Sequence, residues 1–214
     1  MKNVLIFGDS YSTYEGYIPE GYTVYYCPQG REQGPSVTKM DVAETWWKRV
    51  IDQAGDNLLL NNSWSGSTIG YTGYNNTDCS KDSSFIYRFR ELRKQGFFKQ
   101  NKVDTVFVFG GTNDSWSGAP LGEIQLSDWE EKDLYFVLPA ICHLMSELKA
   151  ELPNAQIYFL INTEINPAIG ECIKKAADYY GVDAIELKDI GKECDHPNVA
   201  GMQSIAEQVL EKYL

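Results

Sequence analysis

Short apolar runs rich in β-branched and aromatic side chains recur along the chain, separated by stretches with helical spacing. Five stand out: Val4 to Phe7, Leu58 to Leu60, Val103 to Phe109, Ile157 to Ile161 and Val182 to Leu187. A strand buried on both faces reads as a continuous apolar run, so each of these predicts a buried parallel strand. Between the runs, helices are predicted over about Val42 to Ala54, Phe85 to Gln95, Leu134 to Leu152 and Ala168 to Tyr180, and a last one begins near Asn198. On that last helix Val199, Met202, Ile205, Ala206, Val209, Leu210 and Tyr213 share one face. Pro197 suits its first turn, where a missing N–H costs nothing. Pro139 removes a donor and crowds the preceding turn, which predicts a break or a late start in the third helix. The alternation of strand and helix predicts an α/β fold, a parallel sheet with helices on both faces.

Two stretches, Tyr11 to Lys39 and Gly66 to Ser84, follow neither period and are rich in Tyr, Gly, Ser and Asn. Long irregular segments inside compact domains commonly carry function. In an open parallel sheet the site forms beyond the carboxyl ends of the strands, so the polar residues just after each apolar run are the candidates for chemistry. Gly8-Asp9-Ser10 follow the first run, Asn61 through Ser65 and then Gly66 the second, and Gly110-Gly111-Thr112-Asn113-Asp114 the third. Asp195-His196-Pro197 stand past the fifth, ahead of the last helix.

A serine hydroxyl is a weak nucleophile until a neighbouring base takes its proton, and histidine titrates where that exchange works near neutral pH. The chain holds two histidines. His143 sits mid-helix between Cys142 and Leu144, a setting that reads as structural. His196 lies at a loop-to-helix junction on the expected functional edge and is the better base. Acyl transfer also builds negative charge on a carbonyl oxygen, and each preoriented donor aimed at it is worth about 3–4 kcal/mol. Gly66, the side-chain amide of Asn113 and the backbone N–H of Ser10 are the donors this reading selects. Alone, Gly66 reads as a turn glycine and Asn113 as a turn or capping residue. Their combination with Ser10 and His196 is what points to catalysis. Asp9 and Asp114 read as structural carboxylates satisfied by loop amides.

Composition narrows the partners. The 214 residues predict one domain over 1–214, and 43% hydrophobic with 23% charged residues is ordinary globular usage. No run is long enough to span a bilayer. A net charge of -11 with scattered Lys and Arg argues against nucleic acid and anionic membranes as partners, and favours a neutral or weakly charged substrate. Cys27, Cys79, Cys142, Cys172 and Cys194 show no metal-ligand spacing and read as reduced thiols, mostly buried. Met1 runs almost directly into Val4 to Phe7, leaving no room for a signal peptide, so the chain as given reads as cytoplasmic; a secreted protein trimmed of its leader would read the same. Oligomerisation is left open.

Gly8-Asp9-Ser10 after a buried strand, Asn61 with Ser65-Gly66, Gly111-Thr112-Asn113-Asp114, and His196-Pro197 before the last helix resemble, in order, the four sequence blocks of the SGNH (GDSL-type) hydrolases. The resemblance covers the chain end to end. It implies a flavodoxin-like three-layer α/β/α fold with a five-stranded parallel sheet, Ser10 as nucleophile, His196 as base, and an oxyanion hole from Ser10, Gly66 and Asn113. It also implies hydrolysis of esters, thioesters or acylated sugars with no metal or organic cofactor. The third triad member departs from the family, which usually places an aspartate three residues before the histidine to hold the imidazole's tautomer. Glu193 stands there, followed by Cys194 and Asp195, with Asp189 upstream. Glu193 is the favoured acid; Asp195, or a backbone carbonyl serving a Ser-His pair, are the alternatives.

Other motifs fail. No G-x-S-x-G is present, nor a G-x-G-x-x-G after the first strand, nor a G-K-[ST]. Tyr11, Tyr14, Tyr17, Tyr22, Tyr25 and Tyr26 crowd the first irregular stretch, while Tyr71, Tyr74, Trp64 and Trp116 flank the other blocks. Aromatic faces beside a site suit sugar rings or acyl chains, so the expected substrate is a small polar acyl ester, foremost an acetylated carbohydrate. A lipase or thioesterase, an inactive glycan-binding module on the same fold, and a flavin- or nucleotide-binding protein are the competing readings.

Overall fold

The computed structural model describes residues 1–29 and 39–214. Its frame is a five-stranded sheet of β1 (Asn3–Gly8), β2 (Asn57–Ser63), β3 (Thr105–Phe109), β4 (Gln156–Ile161) and β5 (Asp183–Glu186). All neighbours pair in parallel, in the order β2-β1-β3-β4-β5. The helices are α1 (Trp46–Ala54), α2 (Phe85–Lys94), α3 (Phe97–Gln100), α4 (Thr112–Trp116), α5 (Val137–Glu151), α6 (Pro167–Tyr180) and α7 (Val199–Tyr213). A short antiparallel ribbon of β6 (Lys192–Glu193) and β7 (His196–Pro197) precedes α7.

The period of two along each strand explains the layers. Leu5, Phe7, Val106, Val108, Ile157, Phe159 and Ile161 point to one face, where α2, α5 and α6 bury Phe85, Phe89, Ile141, Leu144 and Ile173. Val4, Ile6, Phe107, Phe109, Tyr158 and Leu160 point to the other, against Trp46, Trp47 and Val50 of α1 and Met202, Ile205 and Val209 of α7. Each such fully buried side chain contributes roughly 1.5–3 kcal/mol. In the inner strands β1, β3 and β4 both faces are covered and the centres hold no polar position, which is why those runs read as continuous.

The expected element boundaries shift at three places, each for a local reason. Asp41 accepts from Ala43 N at 2.9 Å and Glu44 accepts from Asp41 N at 2.7 Å, closing a separate 3₁₀ turn over Val42–Glu44, so α1 begins only at Trp46. A second 3₁₀ turn over Glu131–Tyr135 precedes α5, which starts late at Val137 and thereby places Pro139 in the first turn, where its missing donor is harmless. Pro197 lies outside the last helix: Asn198 caps α7 by accepting from Gly201 N at 2.9 Å, and Pro197 pairs instead with Lys192 in the ribbon. The short α3, α4 and the β6–β7 ribbon fall below the length that periodicity reveals.

The chain leaves β1 for β2 on one side and returns to β3 on the other. The carboxyl ends of these three strands therefore flank the point where strand order reverses, the crevice at which open α/β sheets bind ligands. Gly8 ends β1 in register with Ser63 of β2 and Phe109 of β3. A Cβ on Gly8 would stand 2.5 Å from both Ser12 and Ser63, so only glycine lets the three strand ends close together.

Candidate active site

Ser10 follows Gly8 by two residues in a 3₁₀ turn capped by Asp9, whose Oδ1 accepts from Tyr11 N at 3.0 Å. Its Oγ lies 2.9 Å from Nε2 of His196, which arrives from the opposite end of the chain. The other ring nitrogen, Nδ1, lies 3.0 Å from the carbonyl oxygen of Cys194. A carbonyl only accepts, so Nδ1 carries the proton and Nε2 presents its lone pair to the serine hydroxyl.

The ribbon that presents His196 is strained. Cys194 and Asp195 form its two-residue turn with φ of 49° and 62°, the left-handed pair that a type I′ hairpin demands and that glycine or asparagine usually fills. Each non-glycine residue there costs about 1–2 kcal/mol. The turn is tied down by Tyr11, whose hydroxyl donates to Asp195 O at 2.6 Å, and by Tyr26, whose hydroxyl donates to Pro197 O at 2.8 Å. Burial pushes the phenol of Tyr11 well above its ordinary range, so it remains a donor. Asp195 acts through its backbone, and its side chain is exposed, as is that of Asp189. Glu193, the acid favoured from sequence, stands across the ribbon in register with His196 with its side chain exposed, while the Nδ1 acceptor is the Cys194 carbonyl.

Aromatic rings enclose the imidazole. Tyr25 lies parallel to it with centroids 3.7 Å apart, Tyr11 stands at 5.3 Å and Trp116 at 5.8 Å. Trp116, at the end of α4, keeps 38% of its surface exposed.

Gly66 follows Ser63 by three residues, in left-handed conformation with φ 83° and open space where a side chain would project. Asn113 is the second residue of α4, four residues past Phe109; its Nδ2 donates to Ser67 O at 2.9 Å and its Oδ1 accepts from the hydroxyl of Tyr74 at 2.8 Å. An amide NH₂ has two protons, so one remains for a ligand. Asn61 is structural: its Nδ2 donates to Ser12 O at 2.8 Å and its Oδ1 accepts from Ser63 at 2.5 Å. Ser65 joins the loop to the first irregular stretch, its N–H donating to Thr23 O at 2.9 Å.

Beneath these loops lies Arg88 of α2, fully buried. Its Nη1 donates to the carbonyl and side-chain oxygens of Asn62, its Nη2 to Gly8 O at 3.2 Å and Ser67 Oγ at 3.1 Å, and its Nε to Ser83 O at 2.9 Å. One guanidinium thus spans the ends of β1 and β2 and the loop carrying Gly66. Burial lowers its pKa to about 10, which leaves it charged. Asp114 accepts from the N–H groups of Ile69 and Gly70, and burial raises its carboxyl to about 6. Burial raises Asp9 to about 7, with the neighbouring Asp114 adding to the effect. Both carboxylates answer to loop amides, as their sequence context predicts.

The sequence model for GDSL-like lipases/acylhydrolases matches residues 2–213. The chain belongs to the GDSL-like lipase/acylhydrolase family. Among solved structures, a protein from Bacteroides uniformis described as a GDSL-like lipase is 41% identical, with 99% of this chain and 95% of that one covered and a TM-score of 0.89. A GDSL-like lipase structure from Bacteroides ovatus is 38% identical over 100% of this chain and 98% of that one, TM-score 0.88. An acetyl xylan esterase from Butyrivibrio proteoclasticus shares the fold at 17% identity and TM-score 0.61, over 99% of this chain and 62% of that one. No curated protein matches the sequence. The α/β fold with five parallel strands and the assignment as a GDSL-type hydrolase thus stand on sequence and structure together.

Within this GDSL-like hydrolase, His143 belongs elsewhere, on α5 beside Arg90 at 2.9 Å, Glu147 at 3.4 Å and the ring of Trp129. Cys79, Cys142 and Cys172 are buried, Cys27 is half-buried and Cys194 exposed, all as free thiols. Among the described residues no group of three or more His, Cys, Asp or Glu side chains is arranged to hold a metal ion. Nor, among them, is any helix long and apolar enough to cross a membrane. Sequence reasoning missed Arg88, and named Tyr25 and Tyr74 only among the aromatics beside the candidate blocks. Arg88 carried a signal, a charged residue on the apolar face of an otherwise amphipathic helix.

Proposed function

We propose that this hydrolase cleaves small acyl esters, foremost acetylated carbohydrates, through an acyl-enzyme on Ser10 with His196 as general base. The observation that carries the reading is the 2.9 Å contact between Ser10 Oγ and an Nε2 whose tautomer is set by the Cys194 carbonyl on Nδ1. Nε2 takes the hydroxyl proton as Oγ attacks the ester carbonyl, and returns it to the leaving alcohol. Negative charge then develops on the carbonyl oxygen, toward the N–H groups of Ser10 and Gly66 and the second amide proton of Asn113. Water repeats the sequence on the acyl-enzyme and releases the acid. In this reading the Cys194 carbonyl, 3.0 Å from Nδ1, sets the tautomer of the base.

The substrate class rests on the surroundings. Trp116 offers a half-open indole beside His196, and the stacked pair Tyr22–Trp64, centroids 4.3 Å apart, flanks Gly66. Flat aromatic faces with nearby hydroxyls suit a pyranose ring, and a net charge of -11 suits a neutral sugar. The acetyl xylan esterase of the same fold acts on such a substrate. Short and long p-nitrophenyl esters, together with acetylated xylose and acetylated glucosamine, test the reading. Acetate release from the sugars with preference for short chains is expected. Preference for long chains without acetate release from any sugar would replace it with a lipase or thioesterase.

A further inference from the structure

We propose that Cys142 of α5 and Cys172 of α6 form a reversible disulfide when the folded protein meets a hydroperoxide, stapling the two helices together. Both side chains are fully buried as free thiols, and the proposed hydrolysis uses neither.

The two sulfurs lie 3.7 Å apart, in van der Waals contact, on residues 30 apart in sequence. A disulfide draws them to about 2.05 Å, so the atoms that must join are already neighbours. Their protons are placed for it as well. Cys172 donates to Leu138 O at 3.5 Å, and either sulfur can donate to the other. The hydrogen bond from Cys172 holds the Cys142 thiol below its usual range, against burial, which raises it. The same bond, together with burial, pushes the Cys172 thiol up. Thiolate is the reactive form, so Cys142 reacts first and Cys172 resolves. Cys79, the third buried cysteine, differs: its thiol donates to a backbone carbonyl, Thr77 O at 3.7 Å, and burial pushes it up.

A buried thiol is ordinarily inert, and what sets this pair apart is the segment that covers it. Residues 119–129 form neither helix nor strand, and the N–H groups of Val137 and Leu138 tie them down by donating to Pro120 O and Leu121 O at 2.9 Å. The backbone N–H of Gln125 in this strap gives a hydrogen bond to the Cys142 sulfur. Gln125 also lines a surface cleft of about 380 Å³, with Ile124, Phe136 and Pro139, the last of these one turn before Cys142 on α5. An irregular strap opens at lower free-energy cost than a packed helix, so lifting it at Gln125 opens a way from the cleft to Cys142. With hydrogen peroxide, the Cys142 thiolate attacks one oxygen: an S–O bond forms, the O–O bond breaks, and the departing hydroxide leaves as water with the thiol's proton. The Cys172 sulfur then attacks the sulfenic sulfur: the S–S bond forms, the S–O bond breaks, and the hydroxyl leaves as a second water with the Cys172 proton. The thiols have lost two protons and two electrons between them, and the peroxide has taken up both.

The test exposes the folded protein to hydrogen peroxide, stops the reaction with catalase, blocks the remaining thiols with iodoacetamide in denaturant and maps the peptides by mass spectrometry. Expected is a crosslink joining Cys142 to Cys172, lost on treatment with dithiothreitol. The closed loop constrains the unfolded chain, so the oxidised protein should melt about 10 °C above the reduced one. Peroxide should bring no such rise in Cys142→Ala. Dimedone, which traps a sulfenic acid, should label Cys142 in Cys172→Ala and leave Cys172 unlabelled in Cys142→Ala. Alkylated Cys142 and Cys172 after oxidation, or a crosslink that forms only in denaturant, would overturn the proposal. So would a crosslink from either residue to Cys27, Cys79 or Cys194 in its place. A crosslinked protein that melts no higher would overturn the staple, and dimedone on Cys172 instead of Cys142 would overturn the order of attack. Should the alanine variants fail to fold, the peptide map of the unsubstituted protein decides alone: crosslinked supports the disulfide, alkylated removes it.

Discussion

The hydroxyl of Tyr74 donates to Oδ1 of Asn113 at 2.8 Å while Ser67 O receives one proton of the same amide at 2.9 Å. Between them the two contacts fix which way the amide faces, since an oxygen in the place of Nδ2 would meet a carbonyl. Asn113→Ala should lower kcat by about 10²–10³, the usual effect of removing one oxyanion donor. Tyr74→Phe removes only the orienting bond, worth about 1 kcal/mol, and should lower kcat roughly fivefold with little change in KM. Steady-state kinetics of both variants on one short ester check the ratio. Equal losses would mean that Tyr74 touches the substrate directly.

Arg88 should matter more for the fold than any other charged side chain near the site. Its fork satisfies Gly8, Asn62, Ser67 and Ser83 at once in a buried position. In Arg88→Met those acceptors lose their donors, at a cost of at least about 3 kcal/mol. Arg88→Lys should recover little, because a single ammonium cannot span the strand ends that the planar fork reaches. Urea denaturation of the two variants gives the comparison.

Glu193→Gln and Asp195→Asn should each change kcat by less than about threefold, since an exposed charge is worth under about 1 kcal/mol to a neighbour. The basis is positive: Nδ1 already has the Cys194 carbonyl as acceptor at 3.0 Å. A loss of 10³ or more in Glu193→Gln would restore the carboxylate to the centre.

What the sequence made legible follows from what each feature depends on. Strands buried on both faces announce themselves as apolar runs, so Val4 to Phe7 and Ile157 to Ile161 fall within a residue or two of β1 and β4. Ser10 and His196 were legible because loop ends beyond such runs are where chemistry collects, and the register of Gly8 with Ser63 and Phe109 brings the loops of Gly66 and Asn113 beside that of Ser10. The acceptor at Nδ1 was legible only as one alternative among several, because a backbone carbonyl carries no residue identity: any side chain at 194 supplies it. Tyr25 and Tyr74 were visible only as members of an aromatic-rich stretch, and which tyrosine meets which partner is set by loop paths that no periodicity encodes.

Buried carboxylates give the protein a distinctive response to pH. Burial raises Asp9 to about 7 from an ordinary value of 3.8, and raises Asp114 to about 6. A group whose folded pKa is raised stabilises the fold fully below its unfolded value and loses that contribution as pH climbs through the folded one. Going from pH 8 down to 5, the folded state therefore takes up protons that the unfolded chain does not, and stability should rise, by at most about 1.4 kcal/mol per pH unit for each proton. Glu147 opposes this, but not in that window. Burial alone would raise it, yet His143 and Arg93 hold it at about 2, so its contribution is lost only as pH falls below the ordinary carboxylate range. The melting temperature should accordingly climb between pH 8 and 5 before falling in stronger acid. Asp9→Asn keeps the acceptor for Tyr11 N and removes the titration, so its melting profile should be flatter over pH 8 to 5 than that of the unsubstituted protein. Parallel profiles would place the proton uptake on another group.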